Sequence, residues 1–234
     1  MIELFYSPTP NGKKISIMLE EIKFDYKITK IDLSKGDQFS SDFRKISPLS
    51  KMPAIIDHKN KVNLSQSGAI LIYLAELSGK FYDKDNRHLI NQWLMTQMGD
   101  IGPMLGQHHQ FHHYNPGKSK FGEERYFNIA KRLYKDLDEH LLKSDFLAGK
   151  NYSIADMACW GWILPSKIST KMQGQKLKEF PYLFKWFEKV GSRPAVKRGL
   201  DIGKVMRNLR NAGLADNSKE ARKTRAVLFN QKAR

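Results

Sequence analysis

Apolar residues in the first eighty positions follow two periods in turn. Ile2–Tyr6 is a short apolar run, stopped by Ser7-Pro8-Thr9-Pro10-Asn11-Gly12. That stretch is a dense turn signal, and it supplies an Asn able to cap a helix. Ile15, Met18, Leu19 and Ile22 then recur at helical spacing, which predicts one apolar stripe against a sheet, with polar Lys13, Lys14 and Glu20 on the other faces. Further strands are expected at residues 26–33, at 52–57, where Pro53 opens the strand, and at 62–64. A short segment around 39–47 lies between the first two of these. Ser67 is expected to cap a helix with Ile70, Leu71, Leu74 and Leu77 inside, and Gly79 to stop it. The order reads β-α-β-α-β-β-α.

After a polar connector at 81–86, no strand-like alternation returns for more than a hundred residues. Leu89, Trp93 and Met98, then 126–142, 154–163 and 183–190, carry helical patterning. Ser153 with Asp156 three residues on is close to a capping box, and the reading of Asp156 is a folding role at a helix start. These patterns predict an α/β thioredoxin-like domain over 1–80, a linker at 81–86, an all-α domain over 87–200, and a basic extension at 201–234. From Asn211 the extension reads as a helix that frays into disorder.

Composition narrows the class. The chain of 234 residues has 41% hydrophobic content, enough for two modest cores. Its one cysteine, Cys159, excludes an intramolecular disulfide framework, and no apolar run approaches the ~18 residues of a membrane span. A cytoplasmic protein without a membrane segment is expected. The net charge is +16, and residues 197–234 hold half of it, with eleven Lys/Arg against three Asp/Glu. Such a tail allows nonspecific contact with nucleic acid, but little aromatic interleaving and no recognised motif accompany it.

In a thioredoxin-like strand order, three features converge: the turn 7–12, the Met52-Pro53 step, and Gln66-Ser67. A cis proline opening a strand turns the preceding residue's backbone outward to pair with an extended peptide. Ser67 at a helix N-terminus offers a hydroxyl, free amides and a positive dipole end to a carboxylate, and the turn at Thr9 and Asn11 offers the same to a thiolate.

The segments FYSPTPNGKKISIMLEE, KGDQF, ISPLSKMPAI, QSGAILIYLAE, GPMLGQ and NYSIADMACW, spanning residues 1–200 in order, resemble the bacterial Nu-class glutathione transferases. The resemblance implies glutathione as co-substrate, disulfide reduction and a homodimer. It implies that Thr9 and the Asn11 amide hold the glutathione sulfur, and that Asn11, Gln38, Met52 with Pro53, Gln66, Ser67 and Arg125 contact the tripeptide. Many relatives have an acidic residue where Gln66 stands, so the contact to the glutathione α-amino group loses its charge-assisted part.

Other readings stand beside these. Thr9 also suits a turn residue bonding its own backbone, and Tyr6 suits the core. Cys159, in an apolar helical stretch, reads as a small buried hydrophobe. In residues 107–113, QHHQFHH, the pairs His108/His112 and His109/His113 have the i, i+4 spacing of metal ligands. No third ligand is evident, so a polar rim over the active-site mouth is expected there, and no metal. The function expected is reduction of a small disulfide, with peroxide as a further substrate. The alternatives are glutathione transfer to an electrophile, or a non-catalytic adaptor of the same fold.

Overall fold

The computed structural model describes residues 1–33, 35–168 and 175–202, and the helix expected in the basic extension from Asn211 lies outside them. Two compact units separate: Met1–Leu74 together with the chain from Ala195, and Ala75–Pro194.

In the first unit, stretches rich in β-branched and aromatic residues form β1 (Ile2–Tyr6), β2 (Tyr26–Lys30), β3 (Ala54–Asp57) and β4 (Val62–Ser65). They make one sheet in the order β2-β1-β3-β4. β1 is parallel to β2 and antiparallel to β3, and β3 is antiparallel to β4. Parallel neighbours need a crossover, which α1 (Pro10–Ile22) supplies; α2 (Ser41–Ile46) and α3 (Ser67–Ser78) complete the expected order. β2 stops at Lys30, short of 33. Ile31 still donates to the Tyr6 carbonyl at 3.0 Å, but the next amide, Asp32, turns to Asp37 Oδ2 at 2.8 Å.

One sheet face carries Phe5 and Ala54, packed with Phe43 and Ile46 of α2. The other carries Leu4, Tyr6 and Ile55, all fully buried. Gly12 of α1 comes so close to the Tyr6 ring that α1 must lie on that side. Lys13 and Lys14 depart from expectation: both are buried, Lys14 completely. Lys14 stands four residues before Met18 and so shares its side of the helix, which makes the buried stripe wider than its apolar members.

The second unit is helical. α4 (Arg87–Thr96), a π-helical turn at Gln97–Ile101, α5 (Gly102–His108) and a second π-helical turn at His109–Tyr114 follow one another without a break. Then come α6 (Lys120–Leu141), capped by Ser119, α7 (Ile154–Ile168) and α8 (Pro181–Gly191). The Trp160 ring stacks on Phe187 at 4.9 Å and donates its N–H to the Phe187 carbonyl at 2.9 Å. Cys159 is fully buried in α7, as expected of a small core residue.

Asp156 joins three elements of this unit. Its Oδ1 accepts from the Leu147 amide at 3.0 Å and the Trp186 indole at 2.9 Å, while Oδ2 accepts from the Ser153 amide at 2.9 Å. The expected folding role is thus larger than a cap. α9 (Pro194–Asp201) returns the chain to the first unit: Ser16 Oγ donates to the Gly199 carbonyl at 2.8 Å, and Arg198 pairs with Glu20 at 2.6 Å.

Asp156→Ala leaves buried donors without an acceptor, so urea unfolding should show a loss of about 3 kcal/mol or more. A loss under about 1 kcal/mol would contradict this role.

Candidate functional site

Strand register decides which loops meet. Phe5 pairs with Ala54, and Ala54 pairs with Ser65, so the end of β1, the start of β3 and the end of β4 share one edge of the sheet. Tyr6 pairs with Lys30, which brings the end of β2 there too. The segments leaving these ends carry Thr9 and Asn11, Gln38, Met52-Pro53, and Gln66-Ser67. The structure thus gathers every predicted site residue of the first unit at one sheet end. Arg125 is exposed on α6 of the second unit.

The cap of α1 is Thr9, where the sequence offered Asn11. Thr9 has extended backbone, its Oγ1 accepts the Gly12 amide at 3.1 Å, and Pro10 follows at the first helical position. The bond uses a lone pair and leaves the hydroxyl proton free to be donated elsewhere. Thr9 and Asn11 are both half-buried. The local reading of Thr9 and the chemical one are therefore compatible. Gly12 admits no side chain, because a Cβ would run into the Ser7 carbonyl oxygen.

At α3 the capping position falls to Gln66, one residue before the Ser67 expected. Gln66 has φ 73°, and its carbonyl accepts the Ile70 amide at 3.0 Å. Ser67 is the first helical residue, and its Oγ accepts from Lys14 Nζ at 3.2 Å. Sequence reasoning missed Lys14; its i, i+4 relation to Met18 was the available signal. The Met52-Pro53 bond is cis, as anticipated. Gln38 is buried, and its Oε1 meets no donor among the described residues. Tyr6 is a core residue whose hydroxyl donates to the Ile202 carbonyl at 3.1 Å.

Two helix N-termini, those of α1 and α3, thus point their positive ends to one edge of the sheet, with the Lys14 ammonium at the start of α3. An anion is favoured there. A thiolate suits the Thr9 hydroxyl and a carboxylate suits Ser67.

The histidines of the second unit differ from a polar rim. His108 and His109 are buried, His112 is half-buried, and only His113 is exposed. The His108 and His112 rings lie 4.4 Å apart, and His112 Nε2 bonds the Glu123 carbonyl at 2.9 Å. Among the described residues no three His, Cys, Asp or Glu side chains are grouped to hold a metal. Nor is any helix among them long and apolar enough to cross a membrane.

Comparison with known proteins accords with this geometry. Residues 2–76 match the family described as glutathione S-transferase, N-terminal domain, and residues 107–200 match its C-terminal domain. The chain is 44% identical over 207 residues to the disulfide-bond oxidoreductase YfcG of Escherichia coli K12, covering 86% of this chain and 94% of that one. Among solved structures it is similar to a glutathione transferase family member from Pseudomonas fluorescens with two glutathione bound (40% identity, TM-score 0.77, covering 85% of this chain and 92% of that one). It is also similar to a glutathione transferase from Pseudomonas putida with one glutathione disulfide bound per subunit (38% identity, TM-score 0.79, covering 86% and 91%).

Gly12→Ala should destabilise the fold by about 2 kcal/mol or more, since backbone has to move; an unchanged unfolding midpoint would contradict the close approach. Burial, with His112 adding to it, pushes the His108 imidazole down to about 4 from an ordinary 6.5. The unfolded chain therefore binds this proton first, and stability falls as pH drops from about 6.5 towards 4. Between pH 7 and pH 5 the loss from this group is about 2 kcal/mol. His108→Leu should remove that share of the pH dependence in urea unfolding, and an equal loss in both proteins would refute it.

Proposed function

We propose, from the premise that this chain belongs to the glutathione S-transferase family, that it is a glutathione-dependent disulfide reductase. One observation carries the reading. Two helix N-termini and a threonine hydroxyl, a setting that favours a thiolate, meet at one sheet end in a unit that holds no cysteine, because Cys159 is the only one in the chain. The reacting sulfurs must come from the ligand. The relatives named above, an oxidoreductase and transferases holding two glutathiones or a glutathione disulfide, support the same reading.

An ordinary thiol has a pKa near 8.5, so about one in thirty is ionised at pH 7. The Thr9 hydroxyl and the Asn11 amide at the start of α1 stabilise the glutathione anion by ~1 to 2 kcal/mol, roughly one pKa unit. That thiolate attacks one sulfur of the substrate disulfide, forming a mixed disulfide and expelling the other sulfur as a thiolate. A second glutathione thiolate then attacks the glutathione sulfur of the mixed disulfide, releasing glutathione disulfide and the second substrate thiolate, and water protonates both leaving groups.

The rest of the tripeptide lies along the same edge. Ser67 and the first amides of α3 take a carboxylate, Met52 beside Pro53 pairs by its backbone, and Asn11 and Gln66 take polar groups. Gln38 Oε1, buried and without a donor among the described residues, accepts a ligand N–H. The family likeness assigns Arg125 of α6 to glutathione as well. Peroxides are reduced by the same thiolate through attack on the O–O bond, and transfer to electrophiles is slower. The protein acts as a cytoplasmic homodimer, for which the exposed Leu77, Leu89 and Met95 of the second unit offer apolar surface.

Thr9→Ala should raise the pKa of the bound thiol by about one unit, read as thiolate absorbance against pH, and lower kcat/KM on a small disulfide about tenfold, with Thr9→Ser retaining most of both. A preference for an aryl halide over the disulfide by the wild type would overturn the reading.

A further inference from the structure

The helical unit contains a cavity of about 1080 Å³, lined by residues between 75 and 90 and by the loop 148–153. None of the sheet-edge segments lines it. Two bonds hold its walls in place: the Ile154 amide donates to the Phe81 carbonyl at 3.1 Å, and the Asn86 side-chain amide donates to the Ala148 carbonyl. The cavity is therefore preformed, and its size suits an organic molecule rather than an inorganic ion.

Arg87 lines this space with one edge of its guanidinium unused. The group lies over the Tyr82 ring, 4.5 Å from the centroid, and the Tyr82 hydroxyl is fixed in turn by donating to Asn91 Oδ1 at 2.8 Å. On one side Glu76 Oε1 stands 4.0 Å from Nη1, the outer limit of an ion pair. The other edge, Nε and Nη2, meets no acceptor among the described residues, and Nε is buried. A buried N–H without an acceptor costs folding free energy, which an aliphatic or lysine side chain at position 87 would avoid. The two parallel N–H groups of that edge match the two oxygens of a carboxylate.

The neighbouring side chains choose between anions. Glu76, Asp83 and Asp85 balance Lys84, Arg87 and Lys150 around the cavity, so no net charge draws in a polyanion. A phosphate dianion would be repelled by three carboxylates, whereas a carboxylate carries a single charge and needs only the fork. Phe81 and Tyr152, edge to face with ring centroids 5.7 Å apart, supply an aromatic wall for the rest of the ligand.

We infer that this cavity is a binding site for an aromatic monocarboxylate, held by the Nε–Nη2 edge of Arg87 and packed against Phe81. It shares no residue with the sheet-edge site, so it does not depend on the glutathione reading.

Titration of the full chain with naphthoate, followed by proton–nitrogen correlation NMR, tests this. The Arg87 Nε–H signal, identified by its loss in Arg87→Lys, should shift and saturate together with the Phe81 and Gly149 amides. Naphthamide, which has the same shape without the charge, should bind about tenfold or more weakly, and naphthyl phosphate should also bind more weakly than naphthoate. Arg87→Lys keeps the charge and loses the fork, so naphthoate should bind it about tenfold or more weakly, while turnover of a small disulfide stays at the wild-type rate. Unchanged naphthoate affinity in Arg87→Lys would overturn the inference. So would naphthamide or naphthyl phosphate binding wild type as tightly as naphthoate, or no saturating shift at millimolar naphthoate. The three wild-type titrations decide the matter even where the variant fails to fold.

Discussion

Everything the first unit offers to a ligand depends on the pairing of Phe5 with Ala54 and of Ala54 with Ser65. Those two pairs bring three segments, separated by some fifty residues of chain in one case, to a common sheet edge. A slip of one residue would turn Ala54 to the opposite face and carry Phe5 away from Phe43. The apolar pairing is therefore what fixes the polar constellation. Burial of Leu4 and Ile55 on one face, and of Phe5 and Ala54 on the other, leaves no freedom in the register.

The edge so formed is electrostatically one-sided. α1 and α3 both begin there, Lys14 is buried there, and the buried Gln38 Oε1 meets no donor among the described residues. The two helix starts and the ammonium favour an anion, and the Gln38 oxygen favours an N–H donor of the same ligand. The second unit shows the contrasting use of polar groups. Asp156 is surrounded by donors from its own unit and contributes to the fold alone.

The sequence made the main architecture legible because periodicity and punctuation agreed. Ile2–Tyr6 followed by Pro8 and Pro10 reads as strand then helix, and Pro53 can only open a strand that its missing N–H does not interrupt. The family resemblance supplied candidate positions, and strand register brings those of the first unit to one sheet end. What escaped was local competition. Thr9 took the cap that Asn11 also suited, since Pro10 is best accommodated at the first helical position. Gln66 took a left-handed backbone that sequence favours for Gly or Asn. Lys14 looked polar, and so solvent-facing, because a pattern of residue types does not register a buried charge that faces a hydroxyl. The histidines at 108 and 109 misled in the same way: aromatic neighbours such as Phe127 and Trp162 bury them.

In the proposed function, three loops at one sheet edge grip glutathione through backbone amides. Hydrogen–deuterium exchange of the full chain with and without glutathione measures this directly. Slower exchange on ligand addition is predicted for peptides containing Asn11, Met52 and Ser67, with the strands themselves little changed. Protection confined to other segments, or none at millimolar ligand, would contradict it.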